Sequence, residues 1–275
     1  TLVEPGLLPG EGNNYLVSVV VQEQQAGVAY VDITTGEFAA TELNGTDIHG
    51  LLRAELARLR PAEVLHPEGQ VLPNGLPGHT TPWKDWRFEA TRCAEALRRH
   101  FGVAALDGYG LRGMTAATRA AGSIIQYLTE TQPAALKLLT GFSTYHISEF
   151  MTLDAATRRN LELTETIRGA AVRGSLLGEL DQAVTPMGKR LLRQWVSKPL
   201  LNVAQIRQRQ QGVTFFFTRG LKRAELRAAL KPLNDLERLA MRVAGGTAQP
   251  RDLVAMRQTL ARLSGIADIL QDAGL

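Results

Sequence analysis

The sequence of 275 residues lacks the features that mark secreted, membrane-embedded and disulfide-stabilised proteins. Cys93 is its only cysteine, so an intrachain disulfide framework is excluded. No apolar run approaches the roughly 20 residues that cross a bilayer. The first residues have neither the basic start nor the apolar stretch of a secretory signal. We therefore expect a protein of a reducing compartment, the cytoplasm, with no membrane partner.

Motifs that bind nucleotides, metals or acyl substrates are missing as well. Neither GxxxxGKS/T nor a GxGxxG between a strand and a helix occurs, so no phosphate-binding loop is expected. The five histidines lack metal-ligand spacing, and Gly174-Ser175 is typical of a helix cap and not of a strained nucleophile turn. The sequence therefore predicts no catalytic, cofactor-binding or metal-binding residue, and a chain that is not itself an enzyme.

The chain has the composition of an ordinary globular protein, but its charge is unevenly distributed along the sequence. Apolar residues make up 44% and charged residues 21%, and the length is enough for two domains. Residues 1–100 carry 8 Lys/Arg and 13 Asp/Glu, a net charge of −5, whereas residues 101–275 carry the other 23 and 14, a net charge of +9. This split indicates two domains with different surroundings. Because the sequence starts without methionine, we expect a piece excised from a longer protein.

Hydrophobic periodicity predicts a sheet in the first part of the chain. Three runs of strand character predict an antiparallel meander; they are 15–21, 28–33 and 38–43. Asp47 is a suitable N-cap for the helix that follows, Arg60-Pro61 ends this helix, and Val64-Leu65 predicts a fourth strand. The order β-β-β-α-β favours a single sheet with the helix packed across it.

Beyond a proline- and glycine-rich loop at 67–82, the pattern is helical. Helices are expected at 84–101 and 115–131, and the first has a stripe that we expect to be buried. The stripe consists of Trp86, Ala90, Cys93, Leu97 and Phe101. Further helices follow without a fixed repeat, at 154–168, 175–183, 186–197, 203–218, 221–230, 234–244 and 250–264. The sequence therefore predicts an α/β domain at 1–132 and an all-α bundle at 133–275.

The order β-β-β-α-β also allows a catalytic alternative. It resembles that of ribonuclease H-like nucleases, which place carboxylates on a strand, on the helix and after the fourth strand to gather two Mg²⁺ ions. Asp32, Glu55 and Glu68 occupy comparable places here. However, Asp32 belongs to the second run, next to a turn that aspartate commonly supports, and the first run contains no acid. The alternative function is therefore a metal-dependent nuclease with a helical DNA-binding appendage.

The basic second half gives a third possibility, which is direct and non-specific binding of duplex DNA. Its arginines are spread over seven predicted helices, and no aromatic or polar base-reading pattern is interleaved with them. Arginines distributed in this way are more often surface residues or partners in ion pairs between helices. Direct binding would show an affinity that falls steeply with salt.

Seven segments of the sequence resemble those of a known protein family, which composition and periodicity alone would not reveal. In the helical part they are MTLDAATRRNLEL (151–163), LDQAVTPMGKRLLRQWVSKPL (180–200) and LNDLERLAMRVAGGTAQPRDL (233–253). In the first part they are NNYL (13–16), YVDITTGEF (30–38), LRPAEVL (59–65) and FGVAALDGYGL (101–111). Taken in order along almost the whole chain, they resemble the MutS family of DNA mismatch-repair proteins.

The resemblance implies a ribonuclease H-like connector domain without nuclease activity, followed by part of the helical core or lever domain. Family members bind mismatched DNA and hydrolyse ATP with Mg²⁺ as homodimers, through domains that this chain would lack. The implied role of the connector and lever is to transmit the ATP-driven conformational change. The connector is also implied to dock the partner protein MutL.

Two surfaces follow as expectations. The face of the helix at 84–101 that lies opposite its buried stripe is the predicted MutL-docking surface; it carries Arg92, Glu95, Ala96 and Arg99. An ordinary charged solvent face would have the same composition. Apolar surface near Leu253, Met256 and Leu260 is expected to be exposed, which predicts some self-association.

Overall fold

The computed structural model describes residues 12–271, which form two compact units. The first unit contains residues 12–148 and 152–158, and the second contains 149–151 and 159–271. In this described part, none of the helices has both the length and the apolar character needed to cross a bilayer.

The first unit has a six-stranded mixed sheet with the strand order β5-β4-β1-β2-β3-β6. Its strands are β1 (Leu16–Gln22), β2 (Gln25–Asp32), β3 (Glu37–Asn44), β4 (Glu63–Pro67), β5 (His79–Trp83) and β6 (Ser143–Thr144). Strands β1, β2 and β3 form the predicted antiparallel meander, and β4 pairs with β1 in parallel. The predicted fold class, a ribonuclease H-like α/β domain followed by helices, is confirmed.

Two strands lie outside the sequence prediction. The loop expected at 67–82 ends in β5, which pairs in parallel with β4, and Pro82 is tolerated because β5 is an edge strand. Strand β6 pairs with only two residues of β3 at the other edge. Edge strands this short or this rich in proline leave little periodic signal.

Helix α1 (Ile48–Leu59) covers one face of the sheet. Asp47 caps it as predicted, since its carboxylate accepts a hydrogen bond from the Gly50 amide at 2.9 Å. Its leucines pack on alternate residues of β1, β2 and β3, for example Val17 and Val28, which are fully buried. Side chains alternate between the two faces of a strand and return to the same face of a helix every 3.6 residues, so one face of each strand meets one face of α1 in this core.

Helix α3 (Thr115–Thr131) lies on the opposite face and begins and ends as predicted. It approaches β2 so closely that a Cβ atom at Gly27 would lie 1.9 Å from the Ala116 carbonyl oxygen. The Ser18 and Ser123 hydroxyls join strand and helix at 2.7 Å. The Glu42 carboxylate on β3 accepts hydrogen bonds from the first amides of α3, where the helix dipole favours negative charge.

The helix expected at 84–101 is interrupted. Residues Asp85–Phe88 form a 3-10 turn, Glu89 is extended (φ −61°, ψ 134°), and α2 begins at Ala90 and ends at Phe101. The expected buried stripe is correct for Cys93 and Leu97 but wrong for Trp86 and Ala90, which are exposed. The extended residue changes the helical phase, so it is Phe88 that becomes fully buried. The short helix α4 (Pro133–Leu136) follows α3.

The second unit is helical, as predicted. Helix α5 (Ala155–Asn160) spans the division between the units, and those that follow are α6 (Leu176–Leu180), α7 (Pro186–Ser197), α8 (Val203–Thr218), α9 (Gly220–Leu230), α10 (Leu236–Ala244), α11 (Pro250–Leu260) and α12 (Leu263–Gln271). Ser175 caps α6, as its sequence context indicated, and the side chains of Thr185 and Asn202 cap α7 and α8.

Three helical predictions were too long. In the stretch at 175–183, α6 covers only Leu176–Leu180. The stretch at 154–168 stops being helical after Asn160, because Glu162 has a positive φ angle of 46° that a right-handed helix does not allow. The stretch at 250–264 ends at Leu260, and a separate helix begins at Leu263. Leu253 and Leu260 are about half exposed, and Met256 is half-buried, so the predicted self-association stays a prediction.

An ion pair joins α7 to the start of α10. The Arg190 guanidinium, which is almost fully buried, donates hydrogen bonds of 2.7 and 2.8 Å to the two oxygens of Asp235 and one of 2.6 Å to Glu237. Asp235 also caps α10 by accepting from the Arg238 amide. Although burial alone would raise the pKa of Asp235, its contacts with Arg190 lower the pKa below the ordinary value.

We predict that Gly27→Ala destabilises the first unit by about 3 kcal/mol, since the added methyl group overlaps a backbone carbonyl that cannot move without shifting α3. Urea unfolding of the two proteins measures this difference. The matched control is Gly108→Ala, where a Cβ atom meets nothing within 4 Å, and its effect should stay within about 0.5 kcal/mol. Equal stability of the two variants would contradict the close approach.

We predict that Arg190→Met destabilises the second unit by about 2–3 kcal/mol, less than for a fully buried pair because Glu237 stays hydrated. A carboxylate with a lowered pKa stabilises the folded state above its unfolded pKa of about 4 and loses this effect as pH falls through its folded pKa. The difference between the variant and the unmodified chain should therefore shrink below about pH 4. A difference that stays constant down to pH 2.5 would contradict the pairing.

Candidate partner-docking groove

The first unit has a surface groove between α2 and α3, with α4 at one end. Its volume is about 690 Å³. The residues that line it are Arg87, Glu89, Thr91, Arg92, Glu95, Ala96, Arg99, His100, Ile125, Gln126, Thr129, Glu130 and Leu136. Mixed polar and apolar walls of this kind suit a protein segment better than a small hydrophobic molecule.

All four residues of the predicted docking surface line this groove. Arg92, Glu95 and Arg99 are exposed, and Ala96 is half-buried between them. The structure therefore brings them together with a second wall, contributed by α3, that the sequence did not predict. Whether they bind a partner stays a prediction.

Close packing of α2 on α3 forms the groove. A Cβ atom at Gly122 would lie 2.4 Å from the Cβ atom of Cys93, so glycine is required for the two helices to approach at this point. Cys93 donates to the Arg87 carbonyl oxygen at 3.3 Å, and Gln126 donates to the same oxygen at 2.7 Å. These bonds fix the 3-10 turn ahead of α2 to both helices.

Trp86 contacts two groove residues, and the sequence reasoning wrongly expected it to be buried. Trp86 is 41% exposed, and its ring contacts two guanidinium groups, with the Arg87 Cζ 4.2 Å and the Arg92 Cζ 4.4 Å from the ring centroid. Arg87 also lies 4.8 Å from the ring centroid of Trp83 and forms an ion pair with Glu130. The helical spacing placed Trp86 in the buried stripe, and no local signal marked the break at Glu89 that exposes it.

Two of the three carboxylates of the nuclease alternative, Asp32 and Glu55, are buried and accept hydrogen bonds from neighbouring groups. Asp32 is fully buried and accepts from the Asn14 amide at 3.2 Å and from the Thr34 amide and hydroxyl at 2.9 and 2.7 Å. This network holds the β2–β3 turn. The first strand of the sheet, where the nuclease acid belongs, contributes no acid.

The other two acids do not complete a metal site. Glu55 is buried and accepts hydrogen bonds from Arg58 at 2.5 and 3.0 Å and from the Tyr145 hydroxyl. Burial alone would lower the pKa of Arg58, but the Glu55 carboxylate raises it well above its ordinary value. Glu68 is exposed in the turn after β4. Within residues 12–271, no three His, Cys, Asp or Glu side chains are grouped so that they can hold a metal ion.

We predict that Cys93 reacts with a thiol reagent at pH 8 at least about a hundred times more slowly in the folded chain than in the unfolded chain. Burial raises the pKa of this thiol to about 12, so the reactive thiolate is scarce as well as shielded. Colour development with a disulfide reagent measures the rate. Gly122→Ala should accelerate the reaction by separating α2 from α3. A folded chain that reacts as fast as the unfolded one would contradict this packing.

Comparisons with known proteins match both units. The family MutS domain II matches residues 14–140, and the family MutS domain III matches residues 156–275. The chain is 42% identical, over 99% of its length, to a DNA mismatch repair protein MutS of Symbiobacterium thermophilum. Over 97–99% of its length it is 40% and 36% identical to MutS proteins of Dehalococcoides mccartyi and Roseiflexus castenholzii.

The chain spans about a third of the length of these relatives, with 32%, 31% and 29% of the three proteins covered. The nuclease alternative finds no support among these matches. The two family matches follow one another along the sequence, in the same order as the sheet-containing unit and the helical unit. The chain therefore belongs to the MutS family, with domain II ahead of domain III.

Proposed function

We propose that this chain serves as the connector and lever of a DNA mismatch-repair sensor and has no catalytic activity of its own. The observation that carries the proposal is the pair of consecutive matches to MutS domains II and III. In addition, the carboxylates of Asp32 and Glu55 accept hydrogen bonds within the fold. Full-length relatives are named DNA mismatch repair proteins. The cytoplasm is the expected compartment.

The partners of the intact protein follow from the family and not from residues of this chain. We propose that mismatched duplex DNA, homodimerisation, and ATP with Mg²⁺ are handled by other parts of the intact protein. The chain's own sequence supports this division for ATP, since it contains no GxxxxGKS/T loop to hold a triphosphate.

Transmission of a conformational change requires elements that move as rigid bodies. Close approach of α3 to β2 at Gly27 and of α2 to α3 at Gly122 packs the layers of the connector tightly, which supports its movement as one body. In the helical unit, two hydrogen bonds from the Arg190 guanidinium to the Asp235 carboxylate link α7 to the start of α10 in a defined orientation. Close packing in the first unit and this ion pair in the second support the proposed relay of motion.

The groove between α2 and α3 is the proposed docking surface for MutL. Glu95 and Arg99 are exposed on its α2 wall, and its walls are held by hydrogen bonds that exist before any partner arrives. A preformed surface of this kind loses little conformational entropy on docking. Its exposed charges would favour encounter with a partner of complementary charge.

We predict that the isolated chain binds the N-terminal domain of MutL and that Glu95→Arg weakens binding at least about tenfold, because like charges then face each other across the interface. Isothermal titration of both proteins measures the two affinities. The matched control is Glu23→Arg, the same charge change at an exposed position of the β1–β2 turn that does not line the groove.

An effect of Glu23→Arg as large as that of Glu95→Arg would place the interaction elsewhere. Failure of the unmodified chain to bind at micromolar concentrations would reject docking by this chain.

A further inference from the structure

We propose that Asn74 is a site of spontaneous deamidation in the folded chain, and that the sheet protects Asn44 from the same reaction. The sequence contains two asparagines that precede glycine, in Asn44-Gly45 and Asn74-Gly75. Asparagine is one of the residues that limit the chemical lifetime of a protein. Because the two pairs are chemically alike, the structure around each pair decides which of them reacts. The inference does not depend on the functional roles proposed above.

Deamidation joins the asparagine side chain to the backbone of the next residue. A base removes the proton of the Gly75 amide, whose nitrogen then attacks the Cγ atom of Asn74. A new C–N bond closes a five-membered succinimide ring, and the side-chain nitrogen takes up a proton and leaves as ammonia. Water next adds to one of the two ring carbonyl carbons and breaks its bond to nitrogen, which leaves aspartate or isoaspartate. Glycine permits the attack because it has no Cβ atom to obstruct it.

The structure leaves the Gly75 amide available for this attack. Asn74 and Gly75 lie in the loop between β4 and β5, and both are exposed. Within residues 12–271, the Gly75 amide has no hydrogen-bond partner. Gly75 has a φ angle of 76°, and a Cβ atom at this position would meet nothing within 4 Å. The attacking nitrogen is therefore unbonded, and the space around it is open.

The other pair is held by the sheet. Asn44 is the last residue of β3 and is paired with Gln25 on β2. The Gly45 amide donates a hydrogen bond of 3.0 Å to the Gln24 carbonyl oxygen. Asn44 is exposed, as Asn74 is, so exposure alone would not separate the two sites. Attack by the Gly45 nitrogen requires that this hydrogen bond breaks first, so the reaction at Asn44 depends on local opening of the sheet.

The loop can accept the product while the chain stays folded. Leu72 and Leu76, on either side of the reactive pair, pack against the core between α1 and the sheet. Gln70 accepts a hydrogen bond of 2.6 Å from the Val21 amide. These contacts hold the loop on both sides of Asn74, whose own side chain is exposed. The reaction therefore adds a carboxylate, and in isoaspartate one backbone methylene, at a position outside the core.

The test is to incubate the full chain in mildly alkaline buffer and to follow the mass of the two tryptic peptides. Trypsin separates the two asparagines because it cleaves after Arg53 and Arg58. We expect the Asn74 peptide of the folded chain to convert at least about tenfold faster than the Asn44 peptide. In denaturing urea the two rates should agree within about threefold, since both asparagines precede glycine and the protection by the sheet is lost.

Two matched variants assign the product. Ion exchange of the aged, unmodified chain should show an acidic form that Asn74→Gln lacks and Asn44→Gln retains, because glutamine would have to close a less favourable six-membered ring. Both altered residues are exposed, so circular dichroism should show two folded variants. Asp107-Gly108 can form the same succinimide, but its products keep the charge of aspartate and do not enter this measurement.

Three outcomes would overturn the inference. The first is equal conversion of Asn44 and Asn74 in the folded chain. The second is an acidic form that persists in Asn74→Gln. The third is a folded chain in which Asn74 stays unchanged over the time in which the chain in urea converts.

Discussion

The contact of α3 with the sheet is the constraint on which the rest of the first unit depends. Gly27 allows the backbone of α3 to lie where a side chain would otherwise stand, and the small residues Ala117 and Ala121 of α3 are fully buried. With α3 fixed, Gly122 determines where α2 can approach. The groove between the two helices is therefore a consequence of glycine and alanine at defined positions, because larger residues would hold the three layers apart.

Buried acids on the other face of the sheet accept hydrogen bonds from neighbouring side chains. Tyr30, with a pKa that burial raises, donates to Glu37 at 3.0 Å, and Tyr15 donates to the same carboxylate at 2.8 Å. Glu55 is bound by Arg58 in a similar way. Each carboxylate has its hydrogen-bonding capacity met by neighbouring side chains, as buried charges require. A metal ion would have to displace these bonds, so the acids stabilise the fold instead.

The helical unit is held together differently. Few of its large apolar residues are fully buried, and several on α8 and α9, such as Val213, Phe217 and Leu221, are strongly exposed. Defined polar contacts, the side-chain caps of its helices and the Arg190 ion pair, therefore carry more of its specificity than a large core does. This contrast agrees with the change from an alternating pattern to a helical one along the sequence.

Local periodicity, capping residues and motifs along the chain were enough to predict the first four strands, most of the helices, the Asp47 cap and the family. The sequence also placed Arg92, Glu95, Ala96 and Arg99 on one helix face. The groove that this face shares with α3, and the exposure of Trp86 beside Arg92, depend on tertiary packing. The reason is physical: a groove needs two elements distant in sequence, and the exposure of Trp86 follows from one extended residue whose conformation is fixed by packing and not by its own propensity.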